Sequence, residues 1–265
     1  MCRDVANVWR PSFRVMAENT GAIVGVHPVY EALVAQKRQI ERIYVARDIF
    51  SDKIRRILSL AREQGIPVRK ENRVALDRLA GGEVHQGVVA LAGSGAYEPL
   101  ETLLGAPFPL LVVLDGVQDP HNLGAVIRTC EAAGATGLVV GERRTSPLTA
   151  AVSKASAGAV EHLPIARVRN LASTLELMKS SGIWTVGVAL EADATWTEFD
   201  YSVPVALVLG GEHKGIRRHV RETCDALVGL PMMGKIQSLN VSVAAGIVLY
   251  EAVRQRREAN RPKIE

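Results

Sequence analysis

Aromatic residues are scarce, 5% of the 265-residue chain, so a core must be built mainly from Val, Leu, Ile and Ala. Long apolar runs are absent as well. The longest stretches, Leu110–Leu114 and Val203–Leu209, suit buried strands and fall far short of the roughly 20 residues a membrane helix needs. The opening MCRDVANVWRPSFRVMAENT has no apolar segment of signal-peptide type; it reads as a loose leader, with Met16 as an alternative start. Cys2, Cys130 and Cys224 form neither a paired framework nor a metal-ligand spacing, which points to a reducing, cytoplasmic setting. The histidines are scattered, and His213 and His219 lie on different helical faces, so no metal site is expected. Two phosphate-binding signatures are also missing. No Gly-x-Gly-x-x-Gly follows an apolar strand and no Walker-type Gly-x-x-x-x-Gly-Lys-Ser/Thr occurs, which disfavours nicotinamide dehydrogenases and P-loop enzymes.

What is present is the balance of a globular protein, 48% apolar and 23% charged, long enough for one large domain or two ordinary ones. The net charge of +4 is unevenly spread. Residues 21–93 hold twelve Lys/Arg against eight Asp/Glu, whereas residues 94–265 hold seventeen against eighteen. A basic front half suits an approach to phosphates, although a solvated surface would look the same. The Gly- and Pro-rich stretch 94–108 reads as a linker. It separates a leader (1–20) and a front domain (21–93) from a second domain (109–258) and a tail (259–265).

In the front domain, Gly21–Val24, Arg42–Val45 and Gly87–Leu91 read as strands, and His27–Ala35 and Asp52–Gln64 as helices. Asp52 is the expected N-cap, Gly65-Ile66-Pro67 the stop, and Ile54, Ile57, Leu58 and Ala61 the buried stripe. The second domain is more regular. Six short apolar runs, Leu110–Leu114, Gly137–Val140, Leu163–Arg167, Ile183–Leu190, Val205–Leu209 and Ala226–Leu230, are mostly separated by helical segments. Those are Leu123–Ala133, Thr149–Ser156, Leu171–Ser181 and Ile216–Cys224, with a long final helix from Val241 to Arg257. Such runs predict a parallel sheet covered on both faces, an α/β domain.

Ligands of open α/β sheets bind where loops leave the carboxyl ends of strands. After the first strand of the second domain, Asp115–Thr129 offers Asn122 near a helix start and Arg128 on that helix. Asn122 could simply cap the helix and Arg128 could simply be solvated. After the fifth strand, Leu209–Ile216 offers paired glycines, Gly210 and Gly211, and Glu212, which could serve only as a cap. After the sixth, Leu230–Val253 places Ser238, Asn240 and Ser242 at the start of the last helix, more small polar residues than one cap requires. Residues alone thus indicate a small-ligand site beside a parallel sheet.

In this order the three segments, Asn122-Leu-Gly-Ala-x-x-Arg128, Leu209-Gly-Gly-Glu-x-x-Gly215 and Pro231-Met-x-Gly with Ser238-Leu-Asn-Val-Ser242, resemble the motifs of the SpoU class of RNA ribose 2′-O-methyltransferases, in the SPOUT superfamily. Gly25-Val-His-Pro-Val-Tyr-Glu-Ala-Leu33 and His85-Gln-Gly-Val-Val89 resemble the substrate-recognition domain of its large-subunit ribosomal RNA branch, a small α/β domain similar to ribosomal RNA-binding proteins. The transfer-RNA branch typically carries only short extensions, so a transfer-RNA enzyme is the alternative, followed by a non-catalytic RNA-binding protein.

The resemblance implies a parallel sheet tied in a deep trefoil knot, a rare connectivity. It implies S-adenosylmethionine as cofactor, held by Gly210, Leu230 and Leu239, with Val188, Gly211 and Met232 beside them. It implies Arg128 at the ribose hydroxyl as base or as electrostatic stabiliser, assisted by Asn122, Glu212, Ser238 and Asn240. His213, where the family often has a small residue, would touch substrate or solvent. Finally, it implies ribosomal RNA as partner and a homodimer packed through the last helix, whose Val243, Ile247 and Tyr250–Val253 could equally serve a monomer core.

Overall fold

The computed structural model describes residues 20–93, 97–192, 194–211 and 215–261. The leader, the end of the tail, Glu212 and His213 lie outside the described residues.

The front sheet has four strands, β1 (Thr20–Val24), β2 (Ile40–Ala46), β3 (Val68–Glu71) and β4 (Val88–Gly93), in the order β1-β4-β2-β3. β4 runs antiparallel to β1 and β2, and β3 parallel to β2. Ile23, Ile43 and Ala90 face helices α1 (Val26–Ala35) and α2 (Asp52–Glu63), while Val24, Tyr44 and Val89 face α3 (Arg73–Ala80). One expectation needs correction: Ser51, not Asp52, caps α2, its hydroxyl accepting from the Ile54 amide at 3.2 Å. Asp52 instead pairs with Arg55 in the first turn, where a carboxylate suits the helix dipole. Ile54, Ile57 and Ala61 are buried as the periodicity requires, with Leu58 packed at their margin.

The second sheet is parallel throughout, in the order β7-β6-β5-β10-β8-β11-β9. Its strands are β5 (Leu110–Asp115), β6 (Gly137–Gly141), β7 (Ile165–Val168), β8 (Trp184–Val188), β9 (Ala194–Thr195), β10 (Val205–Gly210) and β11 (Ala226–Gly229). The stretch expected to be only a linker carries a helix, α4 (Leu100–Leu104), and its Leu103 lies so close to Gly137 of β6 that a Cβ there would be 2.6 Å away. Further helices are α5 (Pro120–Ala132), α6 (Ala150–Ala155), α7 (Leu171–Ser180), α8 (Arg218–Thr223) and α9 (Val241–Ala259). α9 returns the chain from the β11 side to pack on α5. Arg256 locks its far end, donating to the carbonyls of Tyr201, Val203, Phe108 and Pro109 at 2.6–3.1 Å. Among the described residues no helix is long and apolar enough to cross a membrane.

The two sheets are docked by charged contacts. Arg38 meets Glu161 at 2.9 Å with both side chains buried, 8% and 1% exposed. His162 meets Glu31 at 2.8 Å, and Lys154 meets Glu83 at 2.8 Å. Gly158, at φ +90°, allows this approach, since a Cβ there would sit 2.7 Å from the Glu31 side chain. Burial pushes the Glu161 carboxyl above its usual range even though Arg38, His162 and Lys37 oppose the shift. A raised pKa means that Glu161 favours the folded state most below the ordinary value of 4.5, and that this contribution is lost as pH rises through the folded value. Glu161→Ala strands a buried guanidinium and is expected to destabilise the protein by about 3–5 kcal/mol. Glu161→Gln retains an acceptor, costs less, and removes this part of the pH slope. Urea unfolding of the three proteins across mildly acidic to neutral pH checks both statements.

Candidate active site

In the second sheet the chain leaves β5 toward β6 on one side and β10 toward β11 on the other. The carboxyl ends of β5 and β10 therefore border a topological switch point, where neighbouring loops diverge and leave a crevice. All three sequence segments converge there.

The first segment follows β5. Asp119 caps α5, accepting from the His121 amide at 2.9 Å, and Pro120 occupies the first turn. Asn122 is thus released from capping, and its side-chain oxygen accepts from Asn240 Nδ2 at 2.9 Å. Asn240 in turn caps α9, its oxygen accepting from the Ser242 amide at 2.8 Å and the Ser242 hydroxyl at 2.7 Å. One chain of hydrogen bonds joins the first segment to the last across 118 residues of sequence. Arg128 is exposed on α5, while Leu123, Val126 and Ile127 fix that helix in the core.

The paired glycines have a reason the sequence did not disclose. A Cβ on Gly210 would fall 1.9 Å from the Gly215 carbonyl carbon and 2.1 Å from the Ile216 nitrogen; one on Gly211 would fall 2.3 Å from the Gly116 carbonyl oxygen. Backbone crosses backbone at both positions, so their close approach is to the chain itself. Gly215 closes the turn, its amide donating to the Gly211 carbonyl at 3.1 Å.

Sequence reasoning missed the clamp beneath these crossings. Asp115, with its side chain 1% exposed, accepts from the Arg217 amide at 2.9 Å and from Arg217 Nε at 2.7 Å. It ties the end of β5 to the chain leaving β10. The available signal was a carboxylate ending a strand whose other positions are all apolar.

Val188 and Leu230 lie half-buried at the ends of β8 and β11 and pack on the main core. Leu239 is 40% exposed, Met232 half-buried and Ser238 exposed, in a segment that also shows Met233 and Ile236 to solvent. Asn122 and Asn240 are joined by their hydrogen bond, Arg128 is exposed on the same helix as Asn122, and Val188, Leu230, Met232 and Leu239 offer apolar side chains at the strand ends and in the segment before α9. Among the described residues no group of three or more His, Cys, Asp or Glu could hold a metal ion. Burial pushes the Cys224 thiol up to about 12 and that of Cys130 higher still, so neither is a ready nucleophile.

The arrangement is a parallel α/β domain whose backbone crosses itself closely at the carboxyl ends of β5 and β10, and likeness to known proteins gives its family. The profile of the SpoU rRNA Methylase family matches residues 109–250, and that of RNA 2′-O ribose methyltransferase substrate binding matches residues 22–97. The chain belongs to the SpoU rRNA methylase family, with the knotted parallel-sheet domain of that family preceded by a substrate-binding domain. A putative TrmH family tRNA/rRNA methyltransferase, YacO of Bacillus subtilis, is 42% identical over 246 residues, 91% of this chain and 98% of that one. The 23S rRNA (guanosine-2′-O-)-methyltransferase RlmB of Photobacterium profundum is 42% identical over 238 residues, 88% of this chain and 97% of its own. Among solved structures, the SpoU methyltransferase AviRb of Streptomyces viridochromogenes, in complex with the cofactor AdoMet, superposes with a TM-score of 0.78. It is 26% identical and covers 94% of this chain and 95% of its own.

Proposed function

We propose that this chain methylates the 2′-hydroxyl of a guanosine ribose in large-subunit ribosomal RNA, with S-adenosylmethionine as donor. The observation that carries the reading is the Asn122–Asn240 hydrogen bond, which unites the first and last motifs. The residues fit the cofactor. Val188, Leu230, Met232 and Leu239 supply the apolar wall an adenine ring requires, and Gly210 and Gly211 supply side-chain-free backbone at its edge. When bound, the cofactor supplies a methyl group activated by its sulfonium.

The chain must then align a hydroxyl that is a poor acid and stabilise the charge growing on its oxygen. Arginine keeps its charge at neutral pH, so the role we assign Arg128 is electrostatic: it faces the 2′-oxygen as the O–C bond forms, the C–S bond breaks and the hydroxyl proton passes to solvent. Asn122 and Asn240 orient the ribose, and Ser238 lines the same wall.

A ribosomal rather than a transfer-RNA substrate is supported by the complete front domain and by the named substrate of the RlmB relatives. Val243, Ile247 and Tyr250 form an exposed apolar stripe along α9 that suits a homodimer, and the unpaired Cys130 and Cys224 suit the cytoplasm. The test is transfer of tritiated methyl from S-adenosylmethionine to RNA from a strain lacking the enzyme. Labelling of large-subunit ribosomal RNA is expected; labelling of transfer RNA alone would overturn the substrate assignment.

A further inference from the structure

Phe50 is 87% exposed, far more than any other described phenylalanine. Folding gives it no reason to be there. It precedes the Ser51 cap of α2, the position from which an apolar side chain normally packs on the fourth helical residue. That residue is Arg55, which is exposed and paired with Asp52. The phenyl ring is therefore left without its usual partner, at the tip of the loop joining β2 to α2.

The surroundings of this tip are basic and built from three converging segments. His27, at the start of α1, meets Lys53 Nζ through its Nε2 at 2.8 Å. Gln86, before β4, accepts from the Val26 amide at 3.1 Å. Ile49 is pressed against Gly87, where a Cβ would be 2.4 Å away, so the residue before Phe50 is anchored while Phe50 points outward. Arg55 and Arg73 are neutralised by Asp52 and Asp48. Arg47, Lys53 and Arg56 are exposed and carry no ion pair among the described residues.

An exposed aromatic ring on a rigid loop, flanked by uncompensated cations, matches the chemistry of an unpaired nucleotide: a base face to stack and phosphates to neutralise. We propose that Phe50 is a stacking platform for an unpaired base of the substrate RNA, with Arg47, Lys53 and Arg56 taking the adjoining phosphates. The proposal rests on the RNA-methyltransferase reading and names the surface that reads the RNA. The platform sits at a fixed offset from the chemistry. The 81–87 loop at the same end of the front sheet is tied to the catalytic domain by Glu83 and Lys154. Lys154 lies on α6, and α6 rests on Gly124 of α5, two residues from Asn122.

The test uses the full chain and two synthetic RNAs of equal length, one a hairpin with an unpaired loop and one a blunt duplex. Phe50→Ala is expected to weaken hairpin binding roughly 5- to 150-fold, the range for loss of one base stack, with duplex binding and S-adenosylmethionine affinity unchanged. Phe50→Trp should restore binding, and its added fluorescence should be quenched by the hairpin but not by the duplex. Arg47→Ala with Lys53→Ala should lower the salt dependence for both RNAs. If wild-type protein methylates RNA but Phe50→Ala binds the hairpin as wild type does, the platform is refuted while the enzymatic reading stands, and the ring is left to a protein contact. If the wild-type chain binds neither RNA and methylates none, both fall.

Discussion

Arg128→Ala should lower the rate constant for methyl transfer by about 10²–10³-fold, the usual loss when one preorganised charge-stabilising donor is removed. S-adenosylmethionine affinity should stay at the wild-type level. The separation follows from where the side chain sits. Arg128 is exposed on α5, whose core contacts come from Leu123, Val126, Ile127 and Cys130, so truncation leaves the helix in place. The apolar wall assigned to the cofactor comes instead from the ends of β8 and β11 and the segment before α9. Arg128→Lys retains the charge but loses the planar fork and should recover only part of the rate. Single-turnover transfer combined with calorimetric cofactor titration measures both quantities. Equal losses in rate and in cofactor affinity would move Arg128 from the hydroxyl to the cofactor.

Gly210→Ala should abolish cofactor binding and sharply reduce the yield of folded protein. The added methyl would have to occupy space held by the Gly215 and Ile216 backbone, at 1.9 and 2.1 Å, and neither can move away as a flexible side chain could. Asp115 holds the neighbouring Arg217 by both its amide and its guanidinium, which closes the route of escape. Gly134→Ala is the proper comparison. Its φ of +70° carries a strain of about 1–2 kcal/mol, but nothing lies within 4 Å, so that variant should fold and bind the cofactor. Calorimetric titration of both decides; normal cofactor binding by Gly210→Ala would disprove the close crossing.

These two predictions mark different depths of legibility in the sequence. Six strands of the catalytic sheet were visible because a strand buried on both faces is a short unbroken apolar run, as in Leu110–Leu114. β3 was not visible, because Val68–Glu71 is a largely exposed strand with no apolar alternation, and α3 was hidden because only Leu76 and Ala80 of it are buried. β9 is two residues long and carries no periodicity. Within the site, motif order brought Asn122, Arg128, Gly210 and Asn240 into one list, and three of its members gained structural neighbours. Asn122 was freed from capping by Asp119, Asn240 was found bonded to it, and Gly210 was found at a backbone crossing. No local pattern could show the crossing itself, since it joins residues brought together by tertiary threading. Asp115 was missed for a related reason: a carboxylate ending an apolar strand becomes informative only when its partner, Arg217, is known. Phe50 carried no signal of its own in the sequence, because exposure is a property of the fold rather than of the residue type.

The most direct measurement is a map of ribose 2′-O-methyl groups in total RNA from cells with and without this protein. One guanosine in large-subunit ribosomal RNA should lose its methyl group in the deletion and regain it when the wild-type chain, but not Arg128→Ala, is restored. An unchanged ribosomal RNA map, or the loss of a transfer-RNA methyl group in its place, would contradict the account.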